Sequence, residues 1–197
     1  MRQVHSDRIQ VVRAGDRMTG EDGKARFEGD GLITDVGGVM LGVQAADCVP
    51  VLVMDGRRRT AGAFHAGWRG TVAGIVGKGI AAMRQEFGSE PRDLEVAIGP
   101  SIGPCCYAVG GELVSAFGET FEDGATLFVE RGGQVFLNLW EANRHQAVAA
   151  GVDPDRVTVV GECTACTRVG ERRKYFSHRA DAGRTGRGIG LVGWAPL

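Results

Sequence analysis

The chain has 197 residues, 43% of them apolar and 24% charged, an ordinary balance for a chain that buries a core and a length that fits one domain. A net charge of −1 gives no electrostatic case for nucleic acid or a membrane surface as partner, and no apolar run reaches the roughly 18 residues of a membrane span. Five cysteines, two of them adjacent, do not read as an evenly paired disulfide scaffold; together with a start, "MRQVHSDRIQ", that lacks a signal-like apolar stretch, they imply a reducing, cytoplasmic setting.

In chain order, "GDGLITD" (29–35) reads as a turn entering an extended segment. "GVMLGVQAADCVPVLVMD" (38–55) gives two apolar strands interrupted by the polar "QAAD". "GRRRT" (56–60) suits a hairpin turn and "AGAFHAG" (61–67) the returning strand. From Thr71 the period becomes helical: Val72, Ile75, Val76, Ile80, Met83 and Phe87 share one face, with Thr71 as N-cap and Gly88 as stop. A strand over 93–100, a helix around 111–118, a strand-to-helix passage near 138 ending at Gly151, a strand at 156–164 and a last strand at 188–194 follow. Strands and helices alternate, but the hairpin within 38–67 is not a βαβ unit. The expectation is an α/β chain of the α+β type: a single layered domain over 1–197, with mixed β-sheets flanked by helices.

Two polar clusters interrupt apolar runs. Cys48 falls in "AADC", and His65 lies 17 residues later in "FHAGWRG". Thiolate and imidazole together can hold a transition metal, and three protein ligands leave a fourth position for water or substrate. Spacing alone leaves the third ligand open among His5, His145 and His178, and leaves packed, hydrogen-bonded side chains as the plainer alternative. "CTAC" (163–166) with "CC" (105–106) suggests a closed four-cysteine site, but adjacent cysteines are awkward as paired chelators, so these four read as inert thiols. "GRTGRGIG" (183–190) matches no nucleotide-binding pattern and reads as a turn, with Arg179, Arg184 and Arg187 offering an anion contact. A helix start at Thr71, with Arg69 beside it and Arg179 added, would likewise favour an anion. Asp47, beside Cys48, is the candidate proton relay, unless strand alternation turns its side chain to the opposite face.

Six stretches in order, "QVHSD" (3–7), "GDGLITD" (29–35), "AADCVPVLVMD" (45–55), "FHAGWRGT" (64–71), "IGPSIGPCCYAVG" (98–110) and "YFSHRADAGRTGR" (175–187), resemble the YfiH-like family, labelled both multicopper polyphenol oxidoreductase and purine nucleoside phosphorylase. The resemblance implies a YfiH-like fold and one zinc held by His5, Cys48 and His65, with copper as the other metal. It implies an enzyme, transferase and hydrolase, that phosphorolyses adenosine, inosine and methylthioadenosine and deaminates adenosine, with purine nucleoside and phosphate as partners. Cys48 and Asp47 then carry the catalytic roles, and Arg69 and Arg179 the substrate contacts. The alternatives are a copper-dependent, laccase-like polyphenol oxidase and a catalytically inactive metal- or nucleoside-binding homologue. Four histidines are too few for a multicopper centre. The family's usual N-terminal segment is expected to be missing, since "QVHSD" begins at residue 3; Ala108 and Ala180 replace a glutamate and an arginine common in the family.

Overall fold

The computed structural model describes residues 1–196. Strands β1 (Ile9–Val12) and β2 (Gly31–Thr34) are followed by β3 (Met40–Ala45), β4 (Val49–Asp55) and β5 (Thr60–Ala66). The helices α1 (Trp68–Val72) and α2 (Ile75–Phe87) lead to β6 (Leu94–Ile98). Next come β7 (Ala108–Val109), α3 (Gly111–Thr120), β8 (Phe128–Arg131), β9 (Gln134–Leu137) and α4 (Leu139–Ala149). The chain closes with β10 (Val157–Val159), β11 (Arg168–Val169), β12 (Arg172–Arg173) and β13 (Gly188–Gly193).

Six strands form one mixed sheet in the order β1-β2-β5-β4-β6-β10, parallel at its two outer pairs and antiparallel between. Strand alternation sends Val49, Val51, Val53 and Phe64 to one face, where α2 and α4 bury them in the larger core. Ala61 and Ala63 face the other way, into a smaller core with Leu41, Val43 and Val192 from the separate β3–β13 pair. Burial on both faces explains why β4 reads as a nearly unbroken apolar run. The expected mixed-sheet α/β architecture is therefore the one observed, as a helical layer, the main sheet and a second small sheet.

The hairpin across 56–60 forms as expected, but the helix does not open at Thr71. Gly74, at φ 82°, breaks the apolar face into the five-residue α1 and the longer α2, which Gly88 (φ 68°) ends. Thr71 lies inside α1, fully buried, with its hydroxyl paired to Asn143 of α4, so its side chain caps nothing. A long helix aimed from Thr71 at an anion is thus replaced by one short turn. Of the strand expected over 156–164, only Val157–Val159 forms a continuous strand, with Cys163 making an isolated bridge to Ser101. The β8–β9 hairpin, turning on Gly132 and Gly133 with φ of 57° and 73°, was not expected, although paired glycines suit such a tight turn. No helix among the described residues is long and apolar enough to cross a membrane.

Candidate metal centre

Asp30 organises this region. It stands in the turn before β2, fully buried, between Gly29 and Gly31. A Cβ at Gly29 would lie 2.9 Å from the Arg8 carbonyl oxygen, so glycine lets the chain here lie close against the N-terminal segment. One carboxylate oxygen accepts the His5 N–H at 3.0 Å and His65 Nδ1–H at 2.8 Å. The other accepts the Val4 N–H (3.1 Å), the Ser6 N–H (2.6 Å) and the Ser6 hydroxyl (2.9 Å). Five donors on one carboxylate bend residues 4–6 around it, and His5 takes the left-handed φ of 60°. Burial alone would raise the Asp30 carboxyl; His65 and the backbone donors outweigh it and hold the group well below the usual carboxylate range.

Three elements deliver the donor atoms. His65 is buried near the end of β5, and because Nδ1 is committed to Asp30 its free ring atom is Nε2. Cys48 leaves a tight turn between β3 and β4, in which Asp47 adopts φ 85°. His5 comes from the segment wrapped on Asp30. One ligand atom from each of His5, Cys48 and His65 lies within 4.8 Å of the others, and the two imidazoles meet edge-on with centroids 5.0 Å apart. Gly67 supplies the fourth wall: a Cβ there would stand 2.9 Å from Cys48 Sγ and 3.2 Å from His5 Cδ2. Burial pushes the Cys48 thiol up, but the two histidines overcome it and bring it down to about 7. For His65, burial pulls the ring down, and Asp30 with Cys48 overrides it to reach about 9. A metal bound here would take the place of the proton that thiol and imidazole share. Two imidazoles and a thiolate suit a borderline metal such as zinc, and three ligands leave one position open.

The opening faces a cleft of about 720 Å³, lined by Asp47, Trp68, Arg69, Tyr107, Arg179 and Arg187 as well as the three donors. His5, Asp47, Cys48, His65, Arg69 and Arg179, the site residues implied by the resemblance, therefore line the same cleft, whereas Arg184, also offered as an anion contact, is not among its lining residues. Asp47 does not follow strand alternation: it sits in the turn, and its carboxylate accepts the Thr164 hydroxyl at 2.7 Å and the Arg179 N–H at 2.6 Å. The Arg69 guanidinium stacks on Trp68 at 4.4 Å, and that of Arg179 lies 5.2 Å over Tyr107 while donating to the Ala108 carbonyl. Arginines rather than a helix start thus supply the positive charge. His178 also lines the cleft, whereas His145 pairs with Glu141 on α4. Sequence reasoning missed Asp30, which "GDG" presents as an ordinary turn residue, and Tyr107, hidden in a loop. Burial, then the neighbouring Cys48 charge, lifts the Tyr107 hydroxyl to about 12 despite Arg179 and Arg69, so it faces the cleft as a neutral donor. Cys105, Cys106, Cys163 and Cys166, read as inert thiols in preference to a closed four-cysteine site, instead converge in a group of their own.

Known proteins share this arrangement of chain. A purine nucleoside phosphorylase, YlmD, of Geobacillus stearothermophilus is 42% identical over 195 residues, covering 97% of this chain and 70% of its own length. An adenosine deaminase, RL5, of an unknown prokaryotic organism is 34% identical, covering 95% of this chain and 72% of its own. The crystal structure of the hypothetical protein YfiH of Bacillus licheniformis superposes with a TM-score of 0.88 at 37% identity, over 98% of this chain and 72% of that one. A family model described as multi-copper polyphenol oxidoreductase laccase matches residues 1–195, and the chain belongs to that family.

Proposed function

We propose that the chain is a zinc-dependent purine nucleoside phosphorylase, acting on adenosine, inosine and methylthioadenosine, that also deaminates adenosine. The observation that carries this reading is the convergence of His5, Cys48 and His65 at a cleft lined by Arg69, Arg179 and Arg187. His5, Cys48 and His65 would hold the metal, and when bound it supplies Lewis acidity at an open fourth position. The similarity to proteins named as a purine nucleoside phosphorylase and an adenosine deaminase supports both activities.

In phosphorolysis a phosphate oxygen bonds to ribose C1′ as the C1′–N9 bond breaks, giving ribose 1-phosphate and the free purine. Arg69 and Arg179 hold the phosphate as charge-assisted donors, and their stacking on Trp68 and Tyr107 fixes each guanidinium before phosphate arrives. The Tyr107 hydroxyl, kept neutral, donates to the departing base. In deamination water adds at C6 of adenine and ammonia leaves. Asp47, oriented by Thr164 and the Arg179 N–H, takes the proton from water and returns it to the leaving nitrogen. The Arg69 and Arg179 guanidinium groups are spectators in that second reaction, since it takes no phosphate.

The test incubates zinc-loaded protein with adenosine, with and without phosphate, and separates adenine, ribose 1-phosphate and inosine. Adenine and ribose 1-phosphate only with phosphate, and inosine in both mixtures, are expected. No product from fully loaded protein overturns the reading.

A further inference from the structure

The fifth-motif loop after β6 and the loop after β10 meet at four cysteines. The Sγ atoms of Cys105, Cys106, Cys163 and Cys166 all lie within 4.8 Å of one another, with Cys105 and Cys166 at 3.5 Å. A metal with tetrahedral sulfur ligands at ~2.3 Å separates them by about 3.8 Å, so the four thiols are already near enough to share one metal. Adjacent cysteines can share one centre here because of the local turn. Cys106 and Tyr107 N–H both donate to the Gly103 carbonyl, and this tight turn carries Cys105 and Cys106 to the same group. The Gly103 N–H in turn donates to Cys163 Sγ at 3.3 Å, the kind of N–H···S contact that supports a metal-bound thiolate. Burial and neighbouring thiols push Cys106 up to about 11 and Cys105 higher, while Cys163 is lowered despite burial, chiefly by that Gly103 donor. Left to themselves, four thiols this close oppose one another's ionisation. A divalent cation removes the conflict.

We propose that Cys105, Cys106, Cys163 and Cys166 form a second, closed metal site, structural in kind, that takes one zinc through four thiolates. On binding, four S–H bonds are exchanged for four S–metal bonds, four protons pass to solvent, and nothing is oxidised or reduced. The Arg131 guanidinium, which donates to the Pro104 and Cys105 carbonyls at 2.8 and 3.1 Å, offsets part of the resulting negative charge. The site clasps the two loops where Ser101 and Thr164 also bond through their backbones at 3.0 Å. Thr164 lies between Cys163 and Cys166, and its hydroxyl holds Asp47. Metal at the cysteines therefore acts at a distance on the cleft: it fixes the turn that orients the residue beside Cys48.

The test uses the full chain purified with reductant, loaded with zinc and desalted, then analysed for metal per chain. Cys48→Ala, which removes the first site's only thiolate, is expected to keep one equivalent, and adding Cys163→Ser is expected to abolish it. If that double variant fails to fold, cobalt replaces zinc in Cys48→Ala, where intense thiolate-to-cobalt absorption is expected. The proposal is overturned if reduced Cys48→Ala binds no metal, if its cobalt form lacks thiolate absorption, or if its mass is lighter by the hydrogens of a disulfide. Any of those outcomes leaves the nucleoside reading intact, because that reading rests on Cys48.

Discussion

Replacing Asp30 with asparagine tests the organising role of one buried carboxylate. The amide offers one acceptor oxygen where the carboxylate offers two, and every one of the five partners is a donor. If the amino group replaces the oxygen facing His5 N–H and His65 Nδ1–H, two donors lose their acceptor; in the other orientation three do. Hydrogen bonds to a charged group are each worth roughly 1.5–3 kcal/mol, so losing two of them, the milder orientation, costs about 3–6 kcal/mol. His65 can recover one bond by moving its proton to Nε2 and accepting from the amide at Nδ1. That shift protonates the atom the metal needs, and loss of such an orienting partner typically lowers metal affinity 10–100-fold. Urea unfolding of the chelated proteins measures the stability change, and competition against a chromogenic chelator measures the affinity. An Asp30→Asn protein with unchanged stability and unchanged zinc affinity would refute the reasoning.

Gly67→Ala adds a methyl 2.9 Å from Cys48 Sγ at a backbone φ of −70° that alanine accepts, so zinc affinity at the His5–Cys48–His65 site should fall about tenfold or more with the circular dichroism spectrum kept. Arg69→Ala and Arg179→Ala should each raise KM for phosphate by roughly 10–100-fold, the worth of one charge-assisted contact, while adenosine deamination continues; equal loss of both reactions would contradict the assignment. Since the folded Asp30 carboxyl lies below its ordinary value of 3.8, its contribution to stability is complete above that pH and is lost as pH falls below it. Chelated wild-type protein should therefore lose urea resistance more steeply below about pH 4 than Asp30→Asn, and parallel acid limbs would show that the carboxylate contributes nothing.

Local pattern carried much of the fold. The β4–β5 hairpin follows from two apolar runs around "GRRRT", and Ile75, Val76, Ile80 and Met83 predict the buried face of α2. Thr71 misled because an N-cap needs a hydroxyl free to reach its own backbone, whereas Asn143, 72 residues away, claims this one. The donor trio was legible only through resemblance, since nothing in spacing separates His5 from His145 or His178. Asp30 looked like a turn residue because glycine–aspartate–glycine is turn chemistry; only the fold reveals that five donors converge on it. The sequence suggests the grouping of the four cysteines but reads more plainly as inert thiols, because their proximity is not visible in spacing. Their meeting depends on β6 and β10 lying side by side and parallel, which brings together loops about 60 residues apart.

The most direct measurement of the central claim compares adenosine phosphorolysis by wild type and Cys48→Ala, both exposed to zinc and desalted, with bound metal counted in the same samples. The account predicts that wild type releases adenine and ribose 1-phosphate in proportion to zinc at the His5–Cys48–His65 site, and that Cys48→Ala, folded and still holding metal at its other cysteines, releases neither. Turnover by Cys48→Ala at the wild-type rate would contradict it.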